Sequence, residues 1–256
     1  MLGAIAGDVI GSVYEHRPVK SVDFPLFGAH SRPTDDTVLT VAVAHAVLDG
    51  ADYSDMIRRY ARAYPNAGYG GSFRRWMLSD DAAPYGSWGN GSAMRVSPVG
   101  LAFGPEEVVL AEAAKSAAVT HDHPEGIKGA QAVALAVYLA REGAGKQEIR
   151  REVESGFGYD LGRRLEEVRE RYEFDVSCQG SVPESLIAFL ESEDYEGAVR
   201  NAVSLGGDAD TMAAIAGAVA HAFYREIPER IVGEVRRRLP DELVAVVERF
   251  ERTYLP

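Results

Sequence analysis

From residue 212 to residue 224 the chain reads MAAIAGAVAHAFY, with small or apolar residues on every side of the helix it would form. A helix with no polar face has nowhere to meet water, so other helices must surround it. Gly206-Gly207-Asp208-Ala209-Asp210-Thr211 stands directly before it. On a regular helix Asp208 and Asp210 would point roughly 200° apart, so they converge only if they occupy the turn before the helix. Gly206 and Gly207 permit such a turn, and either Asp can cap the free N–H groups of the first helical turn. Taken alone, the stretch is equally a helix cap and a site.

A second stretch repeats the pattern. Pro33-Thr34-Asp35-Asp36-Thr37 precedes VLTVAVAHAVLDG, a further buried helix ending near Gly50. Two caps need one side chain each, and these two clusters supply more oxygen-bearing side chains than capping uses. The first helix is expected over about residues 2–14, where Gly3, Gly7 and Gly11 recur at four-residue spacing. Interior helix glycines cost about 1 kcal/mol each, so a row of them predicts a bare face on which another helix or a ligand lies close. Asp8 falls inside that helix and needs a partner there, because an unpaired buried carboxylate is expensive. Glu15 follows at its C-terminal end, where the helix dipole disfavours an anion unless a cation is near.

The rest of the chain carries helical patterns and loops. Residues 16–33, with three prolines, read as a long irregular loop, a type that is often functional. Amphipathic helices are expected at 54–64 and from Phe73, the latter preceded by Gly68-Tyr69-Gly70-Gly71-Ser72. Such a turn offers free N–H groups to an anion, although its spacing is not that of a P-loop. Pro84-Tyr85-Gly86-Ser87-Trp88-Gly89-Asn90-Gly91-Ser92 then leads into a helix over AMRVSPVGLAF. This loop could hold a pyrophosphate and stack a base or ribose on Trp88, or be a connector with Trp88 in the core. A helix at 105–119 is followed by His121 and His123, then a small-residue helix from 124 to about 139–141. Without a third nitrogen or sulfur ligand at suitable spacing they do not make a zinc site; His121 reads as a substrate hydrogen-bond partner and His123 as structural. Residues 145–176 alternate Arg and Glu as solvated helices around a loop, and Pro183 is expected early in a helix over SLIAFLES. Charged helices at 226–239 and 240–255 close the chain.

No stretch alternates as a strand does, no linker divides the sequence, and 46% hydrophobic content supports a large core. The expected architecture is all-α, a compact orthogonal helix bundle in a single domain, residues 1–256. A net charge of −12 argues against broad binding to nucleic-acid phosphates. The lone cysteine, Cys178, forms no internal disulfide, and with no secretory leader or membrane-length apolar run the expectation is a cytoplasmic protein with no membrane partner.

If the acidic clusters meet, Asp35, Asp36, Asp208 and Asp210, with Glu15 near, repel one another and require cations. Oxygen donors without cysteine favour Mg²⁺ or Mn²⁺, and four to five carboxylates suit two ions. Gly7-Asp8-x-x-Gly11 with Glu15, the 33–37 block, Gly89-Asn90-Gly91-Ser92-Ala93-Met94-Arg95, His121 before Pro124-Glu125-Gly126, and 207–211 together resemble the ADP-ribosylglycohydrolase family. That family includes the enzyme that reactivates dinitrogenase reductase and the ADP-ribosyl-acceptor hydrolases. The matching order spans residues 3–221.

The resemblance implies an all-α fold with a binuclear Mg²⁺ or Mn²⁺ cleft and cleavage of the N- or O-glycosidic bond at C1″ of an ADP-ribosyl group. Carried over by position, Thr34, Asp35, Asp36, Asp208, Asp210 and Thr211 would bind metal. Asp35, Asp36 and Asp208 would also belong to the catalytic set with Glu15, a metal-proximal gate or general acid/base. The ions would hold the 2″ and 3″ hydroxyls of the distal ribose while a polarised water attacks the anomeric carbon, with carboxylates stabilising an oxocarbenium-like transition state. Ser87, Gly89, Asn90 and Gly91 would cradle the pyrophosphate, with Trp88 as the aromatic beside the ligand and His121 on a phosphate or ribose. Gly70 and Gly71 would leave room for the distal ribose, and Ser181-Val182-Pro183 would line the adenosine end. No acidic residue here answers to the extra carboxylate of the dinitrogenase reductase enzyme, so its mechanism is not carried over. Gly68-Tyr69-Gly70-Gly71 and Tyr14-Glu15 look like the branch acting on O-linked or poly-ADP-ribose. The substrate implied is an ADP-ribosylated protein or small acceptor and the product ADP-ribose; arginine, serine, a base or a small molecule stay open as acceptor. A hydrolase of a related nucleoside metabolite and a silent ADP-ribose-binding protein are the other readings.

Overall fold

The computed structural model describes residues 1–81 and 83–255. It is all-α: among the described residues the only extended pairing is an isolated antiparallel bridge between Gly89 and Ser177. The centre is α13 (Ala209–Tyr224), in which every residue from Ala209 to Ala220 is buried. Antiparallel to it lies α1 (Leu2–Gly11), buried along its whole length. The glycine row of α1 is the reason the two fit. A Cβ on Gly3, Gly7 or Gly11 would run into the backbone of Gly217, Ala213 or Ala209 respectively. With no side chains between them the two backbones touch, as the four-residue spacing predicts.

Around this pair stand α2 (Asp35–Asp49), α8 (Pro124–Glu142), α11 (Cys178–Leu190) and α12 (Tyr195–Val203). The charged layer outside comprises α3 (Tyr53–Ala63), α4 (Gly71–Leu78), α7 (Glu106–Ala118), α9 (Lys146–Phe157), α10 (Leu165–Arg171), α14 (Glu229–Arg236) and α15 (Asp241–Tyr254). Because α1 and α13 run in opposite directions, the C-terminus of one and the N-terminus of the other share an end of the molecule. That end also receives the N-terminus of α2.

Several boundaries differ from those read in the sequence. α1 stops at Gly11 rather than 14: the Ser12 hydroxyl donates to Val9 O (2.9 Å) and the Tyr14 N–H to Gly11 O (2.7 Å), tightening the chain into turns that carry Glu15 across the helix end. The single helix expected over 93–103 is two, α5 (Gly91–Met94) and α6 (Ser97–Ala102). Pro98 is the cause, since it has no N–H for a helix passing through it and is tolerated only in the first turn of a new one. Pro183, expected early in its helix, lies inside α11, because the Ser177 hydroxyl accepts the Gly180 N–H (3.0 Å) and starts the helix at Cys178. α12 was not anticipated. Its Asp194 cap accepts the Gly197 N–H at 2.6 Å, and Tyr195, Ala198, Val199, Ala202 and Val203 bury one face. The loop before α2 is irregular as expected and is pinned by Lys20, whose ammonium donates to Arg169 O (3.0 Å), Tyr172 O (2.6 Å) and Leu205 O (2.6 Å). Among the described residues no helix is long and apolar enough to cross a membrane.

Candidate active site

The two acidic stretches meet. Thr34 is the N-cap of α2 and its hydroxyl accepts the Asp36 N–H (3.3 Å), so capping falls to the threonine and leaves both Asp35 and Asp36 free. On the other side Gly206, with φ 69°, makes the left-handed turn before α13. Asp208 sits at the N-cap position but makes no side-chain cap bond. Its Oδ2 accepts the Asn90 side-chain amide at 2.8 Å, and the Thr211 N–H goes to Asp210 Oδ1 at 3.0 Å. Of the two aspartates able to cap this helix, Asp208 makes no cap bond and is turned toward Asn90 instead. Thr211 Oγ1 donates to Asp36 Oδ2 at 3.3 Å and so joins the two clusters directly.

Beneath them lies Asp8, wholly buried. It accepts the Thr34 N–H (2.9 Å), the Thr34 hydroxyl (2.7 Å), the Thr37 N–H (3.1 Å) and the Thr37 hydroxyl. Burial nonetheless pushes its carboxyl up to about 6 against the pull of these bonds. The partner that the sequence demanded for Asp8 is thus the N-terminus of α2. Asp8 was not assigned to the site from sequence, and its place in an apolar helix was the available signal.

One carboxylate oxygen from each of Asp8, Asp36 and Asp210 lies within 4.8 Å of the others, and Glu15, Asp208 and Asp210 form a second such group. Asp210 belongs to both. Among the described residues no Lys or Arg makes an ion pair with any of these aspartates. Their ionisation is opposed accordingly. Asp35 is raised to about 7, first by burial and then by the Asp8 charge. Asp36 and Asp210 are driven well above the usual carboxylate range by burial, reinforced by Asp8 for the former and by Asp36 and Asp208 for the latter. Asp208 is raised by burial, and Glu15 by burial and then by Asp208. Asp36 Oδ1 is buried with no hydrogen-bond partner among the described residues.

These groups form the floor of a cleft of about 460 Å³. Glu15, Thr34, Asp35, Asp36, Asp208, Asp210 and Thr211 line it, as do Gly70 and Gly71 at the start of α4. Ser87, Gly89, Asn90, Gly91 and His121 form the opposite wall. Trp88 departs from its expected place: it does not line the cleft, and it is 48% exposed. Around it the backbone pairs with the 176–178 stretch: Trp88 O accepts the Cys178 N–H (3.0 Å) and the Asn90 N–H goes to Val176 O (2.8 Å). Tyr85 and Phe73 are the aromatic residues on the wall. Ser181, Val182 and Pro183 are buried within α11 and do not reach it. Arg32 and His16 line the cleft without having been singled out by sequence, and so does Arg95, which closes the 89–95 block but had no role assigned to it.

Known proteins resemble this chain in sequence, and one solved structure resembles it in fold. The ADP-ribosylhydrolase ARH3 of Gallus gallus is 29% identical over a 309-residue alignment that covers 88% of this chain and 84% of that protein. The ADP-ribosylarginine hydrolase Tri1 of Pseudomonas putida is 26% identical over 260 residues, covering 88% of this chain and 69% of that protein. A solved structure described as an ADP-ribosylglycohydrolase-related protein complex superposes with a TM-score of 0.71 at 28% identity, over 99% of this chain and 97% of that one. The family model described as ADP-ribosylglycohydrolase matches residues 1–255. With sequence and helical frame agreeing from one end to the other, the chain belongs to the ADP-ribosylglycohydrolase family.

Proposed function

We propose that this glycohydrolase removes ADP-ribose from a modified acceptor by hydrolysing the glycosidic bond at C1″ of the distal ribose, with two divalent cations held in the acidic cleft. The observation that carries the proposal is the convergence of Asp35, Asp36, Asp208 and Asp210 with no basic ion-pair partner, and with Asp36 Oδ1 buried and unsatisfied, among the described residues. Buried like charges of this kind are stable only when protonated or when cations sit among them. The donors are carboxylate and hydroxyl oxygens, which fit Mg²⁺ or Mn²⁺. Asp210 offers an oxygen within 4.8 Å of one from Asp36 on one side and one from Asp208 on the other, which suits a pair of ions.

Thr34, Asp35, Asp36, Asp208, Asp210 and Thr211 would hold the ions. Asp8 is better suited to support than to ligation, since its two oxygens already accept four hydrogen bonds. The Thr34 and Thr211 hydroxyls give their protons to Asp8 and Asp36, which leaves oxygen lone pairs free. When bound, such ions supply Lewis-acid charge for the ribose hydroxyls and for the attacking water. Glu15 stands at the edge of the cluster with its carboxyl raised by burial and by the Asp208 charge, a shift in the direction that favours donating a proton to a departing acceptor atom. Ser87, Gly89, Asn90 and Gly91 would receive the diphosphate, and Gly70 and Gly71 the distal ribose.

Release of free ADP-ribose from ADP-ribosyl-serine and ADP-ribosyl-arginine peptides, with Mg²⁺ and with a chelator, tests this. We expect turnover of at least one peptide in Mg²⁺ and none in chelator. Failure on both peptides, on ADP-ribosylated DNA and on O-acetyl-ADP-ribose would overturn the proposal.

A further inference from the structure

Arg95, in the turn between α5 and α6, is wholly buried although it borders the cleft, and among the described residues no carboxylate pairs with it. Its Nη2 donates to Ser116 O and to Thr120 Oγ1, each at 2.9 Å. Thr120 Oγ1 lies 2.7 Å from His121 Nδ1. A guanidinium only donates, so the Thr120 oxygen accepts from Arg95 and still has one proton to place. Thr120 is wholly buried, and among the described residues the one acceptor within its reach is His121 Nδ1. Leaving a buried hydroxyl proton unpaired is costly, so Nδ1 accepts it and carries no proton of its own. In a neutral imidazole the proton then resides on Nε2. That nitrogen makes no hydrogen bond within the described protein and faces the bare side of the glycine loop, where a Cβ on Gly91 would lie 3.2 Å from it and one on Gly89 3.8 Å.

We propose that Arg95 and Thr120 are positioning residues that fix His121 in the Nε2–H tautomer, giving the cleft a permanent N–H donor aimed at a phosphoryl oxygen of the substrate. The donor role rests on the ADP-ribosyl reading of the cleft; the tautomer rests on the hydrogen-bond chain alone. The fixed direction matters because a phosphoryl oxygen accepts and does not donate. A histidine free to exchange tautomers would spend part of its time presenting a lone pair to an anion. Burial and the nearby Arg95 charge also oppose a second proton on the ring. His121 thereby contributes a hydrogen bond without a titrating charge.

Two-bond ¹H–¹⁵N correlation spectra of the histidine-labelled protein, with His121 assigned by its loss in His121→Asn, report the tautomer directly. The wild-type protein is expected to show the Nε2–H pattern. Thr120→Val keeps the side-chain shape and removes the hydroxyl; it should mix the two tautomers and weaken ADP-ribose binding about tenfold, the loss of roughly one hydrogen bond to a charged group. Thr120→Ser should restore both. An Nδ1–H pattern in wild-type protein, or a Thr120→Val spectrum with unchanged tautomer, would overturn the relay. Wild-type protein that shows the Nε2–H pattern but binds no ADP-ribose would overturn the reading of the cleft and the donor role, with the tautomer itself upheld.

Discussion

The N-termini of α2 and α13 pose the same problem and solve it differently. Each brings two aspartates and a threonine to the mouth of a buried helix. At α2 the threonine comes first and its hydroxyl makes the cap bond, so both following carboxylates are spare. At α13 the aspartate comes first, makes no cap bond, and is held from outside by Asn90. The first cluster is supported from within its helix packing by Asp8, whereas the second depends on a loop. Position relative to the cap therefore does not tell a ligand from a structural residue; the side chain's other partners do.

That contrast can be broken most directly at the carboxylates. Asp36→Asn and Asp208→Asn should each lower Mg²⁺-dependent ADP-ribose release by about 10²–10³-fold or more, since each would remove charge from the proposed metal and reaction centre. If both variants kept activity in the release assay, the two clusters would not form one site. Next in size is Asn90→Ala, which frees Asp208 while leaving α2 intact. Loss of an outer partner of this kind costs about 10–100-fold in metal affinity, measurable by Mg²⁺ titration of activity. Thr37→Val, on the Asp8 side, should by contrast act mainly on stability, and an equal loss of Mg²⁺ affinity in both would erase the distinction between the two supports.

The metal-free protein should also depend on pH in an unusual direction. Asp8 is raised to about 6 and Asp35 to about 7, so between an ordinary carboxylate value and these values the folded state binds more protons than the unfolded one. Stability then falls as pH rises through that window and levels off above it. In chelator, thermal unfolding should occur at a higher temperature at pH 5 than at pH 8. Mg²⁺ at about 100 times its Kd should add roughly 2.7 kcal/mol and shrink the difference, because ions favour the ionised carboxylates. A metal-free protein most stable at pH 8 would contradict the burial-driven shifts. The smallest effect is expected from Thr34→Ser, which keeps the hydroxyl for both the cap and Asp8 and should stay within a few tenths of the wild-type melting free energy, whereas Thr34→Ala loses about 0.5–2 kcal/mol as other caps do.

The parts of the fold legible in the sequence were those with strong local grammar. The all-round apolar α13, the glycine row of α1 and the two Asp/Thr stretches each carry their meaning within about twenty residues. α12 carries a weaker local signal, Asp194 followed by apolar residues at three- and four-residue spacing over only nine residues. What the sequence hid is tertiary. Asp8 shows only as an oddity until α2 is laid across it. Trp88 neighbours the glycine loop in sequence, yet its side chain stands 48% exposed and outside the cleft. Arg95 belongs to a motif of small residues, and nothing local discloses that it is buried without a carboxylate.

The backbone contact between α1 and α13 has a further consequence for how such a protein can change over time. A one-residue slip between these helices would translate a carboxylate by about 1.5 Å and swing it by about 100°, so the glycine row acts as a locked ruler that sets the spacing of Asp8, Asp208 and Asp210. The loop 16–33, held by side-chain bonds such as those of Lys20, and the segment around Gly70 lie outside this helix pair. Inheritance can therefore remodel the rim, where an acceptor would rest, through insertions and substitutions, while the distance between the acidic groups below stays the same.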